Sequence, residues 1–236
     1  MKRILLFICL VLSAVRFGQA QSLTVEYNIG HGSYQMSEMK DRLKDLALPV
    51  VNAQTTDKFP GYVTQDTRIG IEWKRNHAGV LFNYMNTAGK KGVADYSGHC
   101  NYELHNKGYK LGAFYRFRLT KEELGIFTFE PYVQLSSGVV LTRGKELYSL
   151  FIESAPESSN QSKNKYSGTN IFLEPTFGIK FGLCRNIALN LSVGYEWDAV
   201  KEDCQLGNPK SPLPVEVDWS GYRAQAGLVF YLNLKK

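Results

Sequence analysis

The chain has 236 residues, with 28 Lys and Arg residues against 22 Asp and Glu residues, which gives a formal net charge of +6 at pH 7. Three of the basic residues, Lys2, Arg3 and Arg16, lie in a segment that we expect to be removed, so the net charge falls to +3. No lysine- or arginine-rich block remains, and the charge therefore argues against a nucleic-acid partner. The length fits one domain.

The N-terminus predicts a secretory signal peptide. A basic head precedes the apolar run at residues 4–15, and Gly18 and Ala20 provide small residues before the cleavage site. The apolar run is too short for a transmembrane helix. We expect residues 1–20 to be cleaved and the mature domain to comprise residues 21–236.

A first short strand is followed by one helical pattern in the connection at residues 31–60. Ser37 is a candidate N-cap, and apolar residues recur at three- and four-residue spacing until Pro49 ends the pattern. These residues are Met36, Met39, Leu43 and Leu46. We expect a helix near residues 37–47 that packs over the mouth of whatever the strands build. The alternative is a helix that binds a membrane surface or a partner.

Eight segments alternate apolar and polar residues with the period of two that is typical of β-strands. In chain order they are residues 23–30, 62–74, 78–86, 108–119, 126–142, 170–183, 187–199 and 219–234. Long connections at 31–60, 87–107, 143–167 and 200–218 alternate with short ones at 75–76, 120–125 and 184–186. Antiparallel neighbours joined in this way place all long loops at one end and all short turns at the other.

The apolar faces of these strands cannot remain in water, and a closed sheet in lipid solves this problem without leaving a backbone edge. Aromatic residues form two outward groups, as expected at the two membrane interfaces. The short-turn group is Trp73, Phe117, Phe127, Phe181 and Phe230, and the long-loop group is Tyr84, Tyr109, Tyr195, Trp197, Trp219 and Tyr222. The sequence predicts an all-β fold, a closed antiparallel eight-stranded transmembrane β-barrel. In the alternative, a soluble β-sandwich, the apolar faces would point inward and the polar faces outward.

Charged residues of both signs occupy the inward positions. The main set is Glu26, Arg68, Glu72, Lys110, Arg116, Glu130, Glu174, Lys180, Glu196 and Arg223. Eight strands leave room only for side chains, so these charges must be paired or hydrated. We expect a structural network of ion pairs that leaves the barrel barely conducting. A proton or ion path, or a catalytic site, is the alternative. Pro131 and Pro175 each remove a ladder donor, and we expect a local bulge at each.

Cysteine spacing matches no zinc or redox motif. Cys184 lies at a short turn, whereas Cys100 and Cys204 lie in long loops, so we expect Cys184 to pair with neither of them. Pairing of Cys100 with Cys204 stays open, because an exported protein can oxidise a cysteine pair.

Residues 225–232, the signal peptide and the strand pattern together resemble the small outer-membrane β-barrel proteins of Gram-negative bacteria, the OmpA/OmpX/OmpW-like group, over the barrel only. The resemblance implies the outer membrane as location, and the lipid bilayer and lipopolysaccharide as surroundings. It also implies a monomer, an assembly machinery that reads the last strand, and an extracellular ligand that the sequence does not identify. The residues of that C-terminal assembly signal are Gln225, Gly227, Phe230 and Leu232.

Three functions compete: a non-enzymatic barrel for envelope structure or loop-mediated adhesion, a small outer-membrane hydrolase, and a passage for a small apolar molecule. A hydrolase needs a nucleophile, a base and an orienting group in contact. Among the histidines, His77 is predicted in a short turn and His31, His99 and His105 in long loops, without a matching Ser and acid. Apolar inward residues are few. We predict the non-enzymatic barrel, with no catalytic, cofactor-binding or metal-binding residues.

Overall fold

The computed structural model describes residues 22–45, 54–96, 98–124, 127–154, 157, 159–201, 205–206 and 216–233. The expected signal peptide, Leu46 and Cys204 lie outside these residues. The elements, in chain order, are β1 (Ser22–Gly32), α1 (Ser37–Asp45), β2 (Gln54–Lys58), β3 (Tyr62–Trp73), β4 (Asn76–Asp95), β5 (Gly98–Arg118), β6 (Glu122–Leu124), β7 (Phe127–Ile152), β8 (Asn160–Cys184), β9 (Ile187–Lys201), β10 (Gln205–Leu206) and β11 (Gly221–Asn233).

Eight of these strands form a closed antiparallel ring. Neighbours pair in the order β1, β3, β4, β5, β7, β8, β9 and β11. The last strand then returns to the first, with Val25 opposite Phe230, so that the ring has no open edge. The short strands β2, β6 and β10 pair beside β4, β7 and β8. The predicted eight-stranded fold is therefore confirmed.

Side chains alternate between the barrel interior and the outside as predicted. On β9, Val193 is 58% exposed, whereas its neighbour Ser192 is 6% exposed. Many large apolar residues are exposed on the outer face in the same way, including Ile69, Val80, Leu111, Val133, Leu135, Phe177, Leu191 and Leu228. Such a surface is stable only against lipid. No helix among the described residues is long and apolar enough to cross a membrane.

The prediction of long loops at residues 87–107 and 143–167 is wrong, because most of these residues continue the flanking strands. The ladder between β4 and β5 runs without a break to Asp95 and Gly98, and that between β7 and β8 runs to Leu150 and Asn160. We call residues 86–95, 98–107, 143–152 and 160–167 the extension. Its outer face is polar and its inner face is apolar, which reverses the membrane pattern because water surrounds it. Long connections of outer-membrane barrels are extracellular, so the extension stands outside the cell.

The bulges expected at the two prolines are also absent, since both ladders keep their register there. Pro131 lies one residue past the last pair between β5 and β7, so its missing N–H interrupts no bond on that side. Pro175 lies where the β8–β9 ladder is open between Leu173 and Thr176. The register shifts occur instead between Ile171 and Phe172 and between Gly182 and Cys184.

The outward aromatic groups are present, with one correction. Tyr195 packs against Trp197 and Tyr222, with ring centroids 5.4 and 5.1 Å apart. Trp219, predicted in this belt, is instead completely buried. Trp219 lies an even number of residues before the inward-facing Arg223 and Gln225, so continuing the alternation of β11 back to residue 219 gives the observed inward direction.

Cys184 lies at the short-turn end of β8, as predicted, where it is exposed and is a free thiol. Cys100 is buried and is also free. It faces the inside of the extension on β5, where its neighbours Tyr102 and Leu104 are buried as well.

Candidate functional site

The mouth of the barrel is filled by residues 34–45, which we call the plug. Met36 and the helical residues Met39 and Leu43 are at most 2% exposed, and they belong to one apolar cluster with Phe59 and Trp219. The spacing of Met39 and Leu43 places both on one helix face. The expected helix over the mouth is therefore confirmed.

Backbone bonds fix the plug to the residues that immediately precede β11. The N–H of Gln35 donates to the carbonyl of Ser220 at 2.9 Å, and that of Met36 donates to the carbonyl of Asp218 at 3.1 Å. Met36 itself has a φ of 45°, a left-handed conformation that is costly for a residue with a side chain. This backbone turn starts the helix where the mouth can receive it.

Two glycines make room for the plug and for the tryptophan beside it. A Cβ at Gly89 would collide with Leu43 and Phe59, and one at Gly108 would lie 3.0 Å from the Trp219 ring. The Trp219 indole N–H donates to the hydroxyl of Thr142 at 2.9 Å. The apolar cluster is thus close-packed and anchored by polar contacts at its edge.

The helix also bonds to the inner face of the extension. Arg42 donates to the hydroxyl of Tyr102 at 3.2 Å and pairs with Glu146 at 3.3 Å. The Lys91 ammonium donates to the carbonyl of Lys44 at 2.9 Å, in the last turn, where a cation is favourable. The plug and the extension therefore support each other.

Below the plug, charged side chains fill the lumen in three groups. In the first, the Arg116 guanidinium donates to both carboxylate oxygens of Glu26, at 2.6 and 2.9 Å. Lys180 adds a second cation at 3.6 Å from Glu26. Such a bidentate pair is among the stronger side-chain contacts, and it compensates the cost of burying both charges.

The other two groups cross the barrel as well. Arg68 pairs with Asp66 at 2.7 Å and donates to the amide oxygen of Gln225 at 2.8 Å. Lys110 bridges Glu174 and Glu196, the latter at 2.8 Å. Arg223 reaches the same Glu196 at 3.1 Å.

All ten residues of the predicted inward set therefore face the lumen. Nine of them are buried, and Glu72 retains 15% side-chain exposure near the short-turn end, where it accepts from Arg118 at 2.9 Å. A cavity of about 10 Å³ lies beside this rim and His77, which is about the space of one water. The described lumen is thus packed with paired charges.

Asp66 and His77 are titratable interior residues that the predicted set does not contain. Asp66 alternates with Arg68 on β3, and the strand pattern already placed it inside. His77, predicted in a short turn, instead lies in β4, is buried, and its ring nitrogen lies 2.7 Å from the Thr24 hydroxyl. Ala78 and Val80 lie on the outward face of the strand, so extending their alternation back by one residue places His77 inside the barrel.

The residues of the expected assembly signal occupy both faces of β11. Phe230 and Leu232 point outward and are 42% and 52% exposed. Gln225 points inward to Arg68, and Gly227 lies against the backbone of β1 near Tyr27. Recognition of this strand by an assembly machinery stays a prediction.

One serine–histidine pair could not be identified from the sequence, because its two members are 50 residues apart. The His99 Nε2 lies 3.3 Å from the Ser149 Oγ on the outer face of the extension, and the His99 ring stacks on Phe151 at 5.6 Å. A hydrolytic site also needs a group that orients the base and donors for an oxyanion. The pair by itself supplies neither. Within the described residues, no cluster of His, Cys, Asp and Glu is arranged to hold a metal ion.

The closed ring, the apolar outer face and the charged, plugged lumen define a small eight-stranded transmembrane β-barrel of the outer-membrane class. The fold therefore places the chain in an outer membrane. No protein-family model and no curated protein matches the chain.

Among solved structures, the chain is similar to three outer-membrane or surface proteins. For OprG from Pseudomonas aeruginosa the identity is 11%, the TM-score is 0.45, and the match covers 91% of this chain and 97% of that chain. For Neisserial surface protein A the corresponding values are 13%, 0.38, 88% and 96%. For the outer membrane protease OmpT from Escherichia coli they are 9%, 0.38, 90% and 95%. Similarities this low support no finer statement. The assignment to this class of protein rests on the strand pairing and on the apolar outer and charged inner faces of the sheet.

Proposed function

We propose that this protein is a non-enzymatic outer-membrane barrel that binds a partner at the cell surface through its extension. One observation carries the proposal. Strands β4, β5, β7 and β8 are 20, 21, 26 and 25 residues long, whereas about 9–11 residues span a bilayer. The chain thus builds a paired sheet well above the membrane.

The extension is built to keep its shape. Its ladders are continuous, and its inner face packs around the plug through Tyr102, Leu104 and Tyr166, all of them buried. A rigid, preorganised surface loses little entropy on binding. The sequence led us to expect binding through loops. We now propose that the binding surface is the hydrogen-bonded sheet of the extension.

Shortening the extension tests this proposal. We would remove residues 91–102 and 147–163 and join each remaining strand pair by an Asn-Gly turn, which suits two-residue hairpins. Cells that display the full-length chain are expected to adhere to a panel of immobilised matrix proteins and sulfated glycans, and cells with the shortened barrel to lose that adhesion. Surface labelling of Asp41→Cys, an exposed position on the plug, controls for equal display.

Equal adhesion by the two forms would contradict binding through the extension. The non-enzymatic half of the proposal has a separate control. Cleavage of lipid or peptide by the purified protein that is lost in Ser149→Ala would make the barrel an enzyme.

The plug and the charged lumen predict a barrel without a large conductance. In planar bilayers, the wild-type protein is expected to show no stable open level, because paired charges fill the space that eight strands enclose. A variant with Met39→Asp and Leu43→Asp puts charges on the buried helix face and should loosen the plug. We expect this variant to stay closed as well, since the ion pairs below remain. A large, stable conductance of the wild-type barrel would contradict the closed lumen.

One observation favours a second candidate, the passage of a small apolar molecule. The outer half of the interior has more apolar residues than the sequence suggested, because the plug adds Met36, Met39 and Leu43 to Val140 and Phe172. Vesicles that contain the protein would then take up an apolar dye faster than empty vesicles, and the loosened plug variant faster still.

A further inference from the structure

A cleft opens at the outer end of the barrel, between the plug and the shorter part of the wall. The wall consists there of β9, β11 and β1, whereas the extension rises from strands on the opposite side of the ring. The cleft has a volume of about 630 Å³, within the range of about 300–1,000 Å³ that small-molecule sites occupy. Its lining belongs to residues 33–41, β9 and β11, and not to the extension.

One side of the cleft is aromatic. Tyr222 is 72% exposed, and its ring packs edge-on against the ring of Tyr195. The side-chain amide of Gln35 donates to the Tyr195 hydroxyl at 2.9 Å, and the backbone N–H of Tyr222 donates to the Ser33 hydroxyl at 2.9 Å. These bonds hold both rings in place before a ligand arrives, and a preorganised surface loses little entropy on binding.

The facing side is the exposed start of α1, and it carries one charge of each sign. The Lys40 ammonium donates to the carbonyl of Tyr34 at 3.2 Å, which leaves two of its three N–H groups for a ligand. The Asp41 carboxylate and the Ser37 hydroxyl also line the cleft, and within the described residues neither has a protein partner. This polar side therefore offers donors and acceptors without a net charge.

We infer that this cleft binds a short, uncharged oligosaccharide from the surface of another cell. A sugar ring has an apolar C–H face, which packs on the electron-rich face of a tyrosine, and its hydroxyl groups need both donors and acceptors. The cleft presents these two surfaces to each other. An anionic ligand would meet Asp41 and a cationic ligand would meet Lys40, so the balance of charges selects a neutral one.

The position of the cleft indicates where the oligosaccharide comes from. Tyr195 and Tyr222 belong to the outer aromatic belt, which marks the membrane interface, and the polar side of the cleft lies beyond it on the plug. The cleft therefore opens to the external medium. This site goes beyond binding through the extension, because the two lie on opposite sides of the ring.

The test uses the full-length protein in phosphatidylcholine nanodiscs on an array of di- to tetrasaccharides that are uncharged, sialylated or sulfated. We expect the wild type to be retained by uncharged members of the array. Tyr222→Ala removes the exposed ring and is expected to weaken this binding at least about tenfold. Tyr62→Ala is the matched control, because Tyr62 is also an exposed tyrosine at the outer end of a strand but lies outside the cleft. It is expected to bind as the wild type does.

A second variant separates sugar binding from a disturbed aromatic belt. Asp41→Ala changes an exposed helix position, so the barrel and both rings stay intact, and Lys40 becomes an unopposed cation. We expect Asp41→Ala to bind uncharged oligosaccharides more weakly and sialylated ones more tightly than the wild type does. A role of Asp41 in folding alone would not reverse the preference for charge.

Three results would overturn the inference: a wild type that retains no uncharged oligosaccharide, equal binding by the two tyrosine variants, or an Asp41→Ala protein with an unchanged charge preference. Binding that disappears when the nanodiscs contain lipopolysaccharide would show that sugars of the protein's own membrane fill the cleft, and it would rule out the external oligosaccharide as occupant. Adhesion lost on shortening the extension and array binding lost in Tyr222→Ala are separate results, so either site can fail without the other.

Discussion

Replacing Glu26 by alanine is expected to lower the free energy of unfolding by about 3–5 kcal/mol, the cost of breaking a buried ion pair by removing one partner. Glu26 is completely buried and accepts two bonds from Arg116. Lys180 and the ring of His77 lie within 3.6 and 3.8 Å of the same carboxylate. Its removal leaves Arg116 and Lys180 inside the barrel with one fewer counter-charge.

Glu72 provides the matched control, since it belongs to the same network and has the same chemistry. Its side chain is 15% exposed, and its partner Arg118 also contacts Glu130 at 3.3 Å. Glu72→Ala is therefore expected to cost about 1 kcal/mol or less, as for an ion pair with access to water. Urea unfolding in lipid vesicles, followed by tryptophan fluorescence, measures both variants.

A double variant separates lost attraction from stranded charge. Glu26→Ala with Arg116→Met removes both charges of the pair, and it is expected to be more stable than Glu26→Ala alone. Similar losses for Glu26→Ala and Glu72→Ala would show that water reaches the whole lumen. The interpretation of the lumen as a packed network of paired charges would then be wrong.

The membrane part of the fold is predictable from the sequence, because the two faces of each strand differ in chemistry. Apolar residues such as Leu191 and Val193 alternate with Asn190 and Ser192, and a closed sheet in lipid is the arrangement that satisfies this pattern. The inward direction of the ten charged residues follows from the same period of two.

The extension was not predictable in the same way, because its alternation has the opposite sense. Lys107 and Lys145 point outward into water, while Tyr102 and Leu104 point inward to the plug. Viewed as one segment, this mixture is polar and rich in glycine, which is typical of a loop. The strands continue because the plug gives their inner face an apolar partner.

The sequence also could not predict which charged residues form ion pairs inside the lumen. Glu26 and Arg116 lie on β1 and β5 and are 90 residues apart, and they meet only across the barrel. Which inward residues face each other depends on strand tilt and stagger, and these are set by the whole ring. The sequence therefore indicates a network and its members, but not its pairs.

Arginine at position 193 is expected to destabilise the barrel by roughly 2–4 kcal/mol, the cost of a basic side chain on the lipid face near mid-depth. Val193 points outward between Phe177 on β8 and Ala224 on β11, at a distance from both ends of β9. Val193→Leu keeps the position apolar and is expected to change stability by less than about 0.5 kcal/mol. The same urea titration compares the two variants.

Stability alone does not show which surface meets the lipid, because an arginine would also be costly inside a soluble barrel. Single cysteines at 193 and 192, labelled with a fluorophore in brominated-lipid vesicles, separate the two cases. Quenching at position 193 with little at 192 is the expected result, since Ser192 faces the lumen. The same quenching at both positions, or at neither, would contradict the lipid-facing outer surface.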